Sequence, residues 1–173
     1  PLVPGEWHSV EGVWRLEGQE WIAAGPADNV LVWRIPVQGS FRFICEGWNE
    51  QAGELCIFGH AFDHENFPHW GYSFHLAAEG NSCAKLARQG NTVLAQPGRQ
   101  LEAQKHYRLE LEYNHADGRV SCEVDGERLF SYRDTIPFPG DQIGFYTWAR
   151  GAHLRPLEVR RLRAPTPLKA LDL

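Results

Sequence analysis

The stretch from His106 to Tyr132, HYRLELEYNHADGRVSCEVDGERLFSY, decides the fold of this chain, because it predicts three antiparallel β-strands joined by two turns. Apolar and polar residues alternate along it, and a period of two places the apolar set on one face of each strand. The turns are predicted at residues 114–118 (NHADG) and at the pair Asp125-Gly126. An Asp-Gly pair between alternating segments is a strong hairpin signal, since both central residues of such a turn need positive φ.

The second turn also predicts which residues face each other across its hairpin. With two residues in the turn, Cys122 is expected opposite Leu129 on the buried face. Glu123 is expected opposite Arg128 on the solvent face, where opposite charges are favourable. The unit therefore predicts an antiparallel sheet with one buried face and one hydrated face.

The rest of the chain repeats this pattern of short strands. Alternating or apolar segments recur about every 8–12 residues, separated by turn residues, which is typical of a β-sandwich or barrel. No segment keeps a helical period over three turns. We predict one domain over residues 1–163, followed by a proline-containing tail or linker over residues 164–173. Further strands are predicted at 12–23 (two short strands), 29–37, 40–48, 54–62, 72–78, 83–88, 92–95, 142–150 and 157–163.

Composition excludes two classes of partner. The 173 residues carry a formal net charge of −5 with no basic run, which argues against a nucleic-acid partner. No apolar run approaches the roughly 20 residues that a transmembrane helix needs, so no membrane insertion is expected. The seven Trp, nine Phe and five Tyr suit strands and also sugar or ligand sites. The four cysteines fit no zinc pattern and are interpreted as small buried thiols: Cys45, Cys56, Cys83 and Cys122.

Eight short motifs follow one another along the chain: GVWRLEG (12–18), FRF (41–43), GYSF (71–74), CAKLARQG (83–90), HYRLELEY (106–113), GRV (118–120), VDG (124–126) and GDQIGFY (140–146). Their order resembles the concanavalin A-like lectin/glucanase superfamily, and is most similar to its laminin G-like and 3-keto-disaccharide hydrolase-like (DUF1080 type) bacterial domains. The resemblance implies an all-β fold, a two-sheet antiparallel jelly-roll β-sandwich, with ligands on the concave face or its rim. This fold hosts lectins, glycosidases, lyases and protein-binding modules, so it implies no single function.

The strand faces that point away from the core provide candidate ligand-binding residues. Planar aromatic rings stack on the C–H faces of sugars, while Arg, Glu and His bond hydroxyl groups, and both kinds are expected on these faces beside Phe62 and Ser73. An alternative is that the tryptophans plug the edges of the core or pack under the loop at residues 63–71. The candidates are Glu46, Trp48, His60, His75, Tyr146, Trp148 and Arg150.

Catalytic signals are weaker than binding signals. The glucanase branch of the superfamily carries paired acids as E-x-D-x-x-E, and this motif is absent. Glu110 and Glu112 have the wrong spacing, and a trio of Glu46, Asp63 and Glu65 would require the loop to fold over the sheet. Nucleophilic catalysis has little support, because no GxSxG occurs and no Cys lies next to a His, although distant residues can still meet in space.

A loop rich in potential metal ligands leaves one cofactor question open. Histidines with carboxylates suit a transition metal, and clustered oxygens suit calcium. No spacing matches a known metal motif, so no cofactor is expected, with calcium as the alternative. The residues concerned are His60, Asp63, His64, Glu65, Asn66 and His69.

Three hypotheses for function follow, in order of preference. The first is a carbohydrate-binding domain that recognises a glycan on its concave face. The second is a glycoside hydrolase-like enzyme on the same scaffold, and the third is a laminin G-like protein-interaction module. The sequence does not assign a compartment or an oligomeric state.

Overall fold

Fourteen β-strands make up nearly all the secondary structure of the described residues, 4–26, 28–62, 71–138 and 140–162 of this computed structural model. The strands are β1 (Trp7–Glu11), β2 (Trp14–Glu17), β3 (Glu20–Ala23), β4 (Asn29–Trp33), β5 (Phe41–Asn49), β6 (Leu55–Ala61), β7 (Tyr72–Ala77), β8 (Cys83–Arg88), β9 (Asn91–Pro97), β10 (Tyr107–Asn114), β11 (Arg119–Val124), β12 (Glu127–Arg133), β13 (Gln142–Thr147) and β14 (Ala152–Arg161). A 3-10 turn precedes them at Pro4–Glu6, and one helical turn lies at Ala78–Asn81.

The strands form two antiparallel sheets of seven strands each. The first sheet has the order β1-β4-β13-β6-β7-β8-β9, and the second has the order β12-β11-β10-β5-β14-β3-β2. The predicted all-β, two-sheet antiparallel jelly-roll sandwich is confirmed. The predicted tail at residues 164–173 lies outside the described residues. No helix in the described part of the chain has the length and apolar character needed to cross a membrane.

The three-strand unit that decided the fold is present as β10, β11 and β12, with one difference in register. Asp125 and Gly126 have φ values of 52° and 82°, as the turn requires. Glu123 pairs with Arg128 as expected, and its carboxylate lies 2.7 Å from the guanidinium. The prediction for Cys122 was wrong: it faces Phe130 instead of Leu129, because the ladder shifts by one residue after the turn. Such a β-bulge leaves one extra residue in β12. Counting residues outward from the turn cannot predict it, because that count assumes one partner for each residue.

The turn geometry predicts that Gly126→Ala lowers the free energy of unfolding by about 1–2 kcal/mol, because an L-residue is strained at positive φ. A Cβ at Gly126 would meet no atom within 4 Å, so the backbone conformation is the sole expected cause. Gly5→Ala is the matched control, since Gly5 also has open space around it but does not have a positive φ. Denaturant unfolding of both variants measures the difference, and equal losses would contradict this explanation.

The space between the sheets holds an aromatic core. Phe43 of the second sheet packs against Trp7 and Phe145 of the first, with ring centroids 6.2 and 5.3 Å away. A second buried cluster lies on the opposite face of the first sheet, so strands β6 and β7 are buried along their whole length. A prediction from period-two alternation assumes that one face of each strand is exposed to solvent, and it therefore underestimates the burial of this sheet. The second cluster consists of Val30, Val32, Cys56, Phe58, Ala61 and Tyr146.

A β-bulge near the end of β6 changes the direction of His60. This residue has a φ of 54°, and the register of β6 against β13 shifts there. Its ring lies between the sheets, with centroids 5.2 Å from Phe41 and 4.3 Å from Tyr113. The expectation that His60 and Phe62 point away from the core was therefore wrong, since Phe62 also packs against the core between the sheets. The physical reason is the extra residue of the bulge, which reverses the faces that follow it.

Three cysteines have the environment that the sequence predicts. Cys45, Cys56 and Cys122 are buried free thiols, while Cys83 is only partly buried. Burial raises the pKa of each of the three buried thiols because it disfavours the charged thiolate. They therefore behave as small apolar side chains of the core.

Candidate functional site

A cavity of about 810 Å³ lies against the first sheet on the face that points away from the second sheet. A row of four residues crosses four neighbouring strands at its floor, because Tyr146 pairs with Cys56, Cys56 with His75, and His75 with Lys85. Directly opposed residues share one face of a sheet, so this cross-strand row places Tyr146, His75 and Lys85 together on the cavity floor. Ser73 lies two residues before His75 on the same strand and also lines the cavity.

A hydrogen-bonded chain of three side chains runs along this floor. The Nδ1 atom of His75 lies 2.7 Å from Oε1 of Glu54, and its Nε2 atom lies 2.8 Å from Oγ of Ser73. An ionised carboxylate can only accept, so Nδ1 carries a proton, and in the neutral imidazole Nε2 accepts the hydroxyl proton of Ser73. Because His75 is only 7% exposed and Ser73 only 2%, these bonds hold the ring in one orientation.

One wall of the cavity is a strained turn that follows β7. Ala77, Glu79 and Asn81 have φ values of 65°, 53° and 63°, a region that costs about 1 kcal/mol or more for each non-glycine residue. The side chain of Asn81 stabilises the turn, because it donates to the carbonyl of Leu101 at 3.1 Å and accepts the amide of Leu101 at 2.7 Å. The turn therefore presents Glu79 and Asn81 to the cavity in a fixed position.

Charged groups in the cavity wall are paired with each other. The ammonium of Lys85 donates to Oε1 of Glu79 at 2.7 Å. This hydrogen bond lowers the pKa of Glu79. Burial alone would lower the pKa of Lys85, but the same hydrogen bond together with the negative charges of Glu79 and Glu54 outweighs burial and raises that pKa. Burial and the hydrogen bond to Asp28 raise the pKa of Tyr146, so its phenol stays neutral and donates to Asp28 at 3.0 Å.

An exposed aromatic ring borders the cavity. Trp148 is 56% exposed and meets Tyr146 edge to face, with centroids 6.1 Å apart and an angle of 87°. The hydroxyl of Thr147 donates to the carbonyl of Glu54 at 2.7 Å and accepts the amide of Ala149 at 2.9 Å. These bonds anchor the loop after β13 and place Trp148 beside the polar floor.

Two of the sequence-predicted residues lie on the other sheet. Glu46 and Trp48 belong to β5 and face outward from the second sheet. Glu46 is 3.0 Å from His106 and from Arg155, and the hydrogen bond with His106 lowers the pKa of Glu46. The ring of Trp48 stacks on His153 at 3.7 Å. This is a paired, partly hydrated sheet exterior, and it is separate from the cavity.

Two further predicted residues also lie elsewhere. The ring nitrogens of His60 are 3.0 and 2.9 Å from the carbonyl oxygens of Phe138 and Gly39, and burial lowers the pKa of His60 against the effect of these bonds. Arg150 was expected on a strand, but β13 ends at Thr147, and Arg150 lines a separate cavity of about 220 Å³.

The structure therefore brings together His75, Tyr146 and Trp148 from the seven candidates. It adds three charged residues that the sequence reasoning did not select as ligand-binding, Glu54, Lys85 and Glu79. Two of them could have been found: Glu54 precedes Cys56 by two residues on the predicted strand, and Lys85 alternates with buried Ala84 and Leu86. Only a known strand order could have shown that these faces meet.

No group of three or more His, Cys, Asp or Glu side chains that could hold a metal occurs among the described residues. His60, which was considered as a ligand, is bonded to two carbonyl groups. The other residues of the predicted metal cluster, Asp63, His64, Glu65, Asn66 and His69, lie outside the described residues.

Comparison with known proteins places the fold in a class. No protein-family model and no curated protein sequence matches the chain. Among solved structures, the carbohydrate-binding module CBM66 from Bacillus subtilis has a TM-score of 0.70 at 15% identity, covering 89% of this chain and 93% of that chain. The exoplasmic/lumenal domain of VIP36, in a form bound to Ca²⁺ and Man, has a TM-score of 0.70 at 9% identity, covering 94% and 86%. A Bacillus subtilis protein of unknown function with a galectin-like fold has a TM-score of 0.68 at 15% identity, covering 91% and 90%.

These likenesses confirm the two-sheet β-sandwich fold that the order of sequence motifs predicted. At such low identity they establish the fold and leave the activity to be argued from the site.

Proposed function

We propose that this protein is a carbohydrate-binding domain that holds a glycan in the cavity on the outer face of its first sheet. The observation that carries the proposal is the position of Trp148, an exposed aromatic ring beside a floor of oriented hydrogen-bonding groups. Aromatic faces suit the C–H faces of sugar rings, and fixed polar groups suit hydroxyls. A volume of about 810 Å³ is within the usual range for small-molecule sites.

The charges of the cavity favour a neutral, hydroxyl-rich ligand. Glu54 and Glu79 are the carboxylates that line the cavity within the described residues, and each has a partner, His75 and Lys85. Because each carboxylate is already bonded to a side chain of the cavity and the ammonium of Lys85 is bonded to Glu79, the described part of the lining offers no unpartnered charge to a strong anion or a strong cation. Hydroxyl groups can donate to the carboxylates and accept from Lys85 and Asn81. The similarity of the fold to the carbohydrate-binding module CBM66 and to the Man-bound domain of VIP36 supports this choice.

The two alternative functions have less support from the cavity. A glycoside hydrolase needs one free acid and one free base or nucleophile across the scissile bond, whereas Glu54 is bonded to the ring of His75 and Glu79 to the ammonium of Lys85. Of the acid trio considered from the sequence, Glu46 belongs to the other sheet, and Asp63 and Glu65 lie outside the described residues. A laminin G-like interaction module needs a contiguous exposed apolar face, and the polar cavity does not provide one.

We expect Trp148→Ala to weaken glycan binding at least about tenfold, the effect of losing roughly 1.4 kcal/mol of stacking at a binding hot spot. The measurement is calorimetric titration against a panel of soluble polysaccharides and their oligosaccharides. Trp48→Ala is the matched control, since it removes a tryptophan from the outer face of the other sheet and should leave the dissociation constant unchanged. The absence of binding across the whole panel, or equal weakening by both variants, would contradict the proposal.

A further inference from the structure

The three side chains bonded in series on the cavity floor have the arrangement of a nucleophile, a base and an orienting carboxylate. Ser73, His75 and Glu54 are joined by contacts of 2.8 and 2.7 Å, and each bond uses a different nitrogen of the imidazole. A base within hydrogen-bond distance of a hydroxyl, itself oriented by a third group, defines an activated nucleophile independently of fold or chain order.

The local structure supports this assignment beyond the two distances. Ser73 and His75 are separated by one residue on β7, so the pleat places both on the cavity side. Glu54 immediately precedes β6, next to the strand that carries the other two. The side chains of His75 and Glu54 are only 9% and 11% exposed, so their bond competes little with water. All three residues nevertheless line the cavity, where a ligand can reach them.

We propose that Ser73, His75 and Glu54 form a catalytic triad that hydrolyses carboxylic esters of sugar-like alcohols held in this cavity. The alcohol part of this substrate class rests on the proposed glycan-binding function, whereas the ester chemistry rests on the triad alone. Lys85 lies directly opposite His75 in the register and is bonded to Glu79 through its ammonium, which has further N–H donors to offer the carbonyl oxygen as it becomes negative.

Each step of the reaction is balanced by groups on the floor and by water. Oγ of Ser73 attacks the carbonyl carbon of the ester, and its proton passes to Nε2 of His75. The bond from the carbonyl carbon to the alcohol oxygen breaks, and the alcohol leaves with that proton. Water then attacks the acyl-Ser73 ester and gives a proton to Nε2. The carboxylic acid leaves as Ser73 takes this proton back, while Glu54 stabilises the imidazolium throughout.

The first test uses the wild-type protein with a fluorophosphonate probe, which forms a covalent bond to an activated serine as fluoride leaves. Mass spectrometry of the digested protein should find the probe on Ser73, and His75→Gln should abolish this labelling. Ser131, an exposed serine on the other sheet, should stay unlabelled. An unlabelled Ser73, or labelling that persists in His75→Gln, would overturn the triad. This test does not depend on the folding of a Ser73 variant.

The second test measures hydrolysis of 4-nitrophenyl acetate. Ser73→Ala should lower kcat/KM at least about 100-fold, because removing a triad nucleophile leaves only background catalysis. Ser131→Ala should have no effect. A Ser73→Ala variant that folds, as seen by circular dichroism, and keeps the wild-type rate would overturn the proposal.

Acetylated and deacetylated forms of one polysaccharide separate this proposal from glycan binding. Release of acetate from the acetylated polysaccharide supports both the glycan-binding function and the catalytic triad. Cleavage of the aryl ester that depends on Ser73, without any glycan binding, would contradict the proposed glycan-binding function and support the catalytic triad. Glycan binding without labelling of Ser73 would support the glycan-binding function and contradict the catalytic triad.

Discussion

Phe43→Ala is expected to lower the free energy of unfolding by about 3–5 kcal/mol, the usual cost of removing a phenylalanine from a packed core. Phe43 has no exposed surface and packs against Trp7 and Phe145 of the facing sheet. Those two rings are themselves stacked, with centroids 4.9 Å apart. The alanine variant would leave a cavity between the sheets because β5 is held on both edges, by β10 and β14, and cannot collapse inward.

Thermal and denaturant unfolding measure this effect. A loss of that size should lower Tm by roughly 6–20 °C in a domain of this length. Ile136→Ala serves as the control, since Ile136 is 74% exposed and its truncation should change the free energy of unfolding by less than about 0.5 kcal/mol. A loss under about 1 kcal/mol for Phe43→Ala would mean that the sheets do not pack through these rings.

The fold could be predicted largely from local pattern. The three strands of the opening unit, the turn at Asp125-Gly126 and the pairing of Glu123 with Arg128 depend on neighbours in sequence, and all are present. The differences arise where a strand gains one residue. The shifted partner of Cys122 and the inward turn of His60 both follow from β-bulges, which no alternation rule can locate.

The candidate site could be predicted only in part, because it depends on which sheet each strand joins. The alternation correctly placed His75 and Tyr146 on one face and Glu46 and Trp48 on outward faces. It could not show that β5 belongs to one sheet while β7 and β13 belong to the other. Sheet assignment is a long-range property, and it separates Trp48 from the cavity while it brings Glu54 beside His75.

The polar groups of the cavity floor are more deeply buried than the alternation predicted for an outward face. Ser73 and His75 lie on a strand with no exposed residue, next to the second apolar cluster of the first sheet. Polar groups in such a place destabilise a fold unless they are bonded, and here they are bonded to each other and to Glu54. A sheet built for stability alone would place apolar residues here, so this polar chain is consistent with the role in ligand chemistry that we propose.

Asp134→Asn is expected to destabilise the protein by about 2–4 kcal/mol at neutral pH, because it removes the charge from a buried acceptor with three donors. One carboxylate oxygen of Asp134 accepts from the hydroxyl of Tyr72 at 2.7 Å and from the guanidinium of Arg88. The other accepts the amide of Ile136 at 2.9 Å. Asp134 is 5% exposed, but the side chain of Arg88 is 24% exposed, so water moderates the loss of the ion pair.

The pH dependence of stability distinguishes this network from a simple packing effect. Burial alone would raise the pKa of Asp134, but the hydrogen bonds from Arg88 and Tyr72 outweigh it and lower the pKa. A carboxyl whose pKa is lower in the folded state than in the unfolded state stabilises the fold above its ordinary pKa of about 3.9. That contribution is lost as the pH falls through the pKa of the folded state. The difference between wild type and Asp134→Asn should therefore be constant near neutral pH and shrink below about pH 4.

Asp117→Asn is the matched control for this titration. The carboxylate of Asp117 is 36% exposed and 3.3 Å from Arg119, so its ion pair should contribute less than about 1 kcal/mol. Asparagine can still accept the amide of Arg119 in the same turn. Urea unfolding of the three proteins at several pH values measures both effects. A difference for Asp134→Asn that stays the same from neutral to acidic pH would show that its charge does not stabilise the fold, and that the lost contacts are neutral ones.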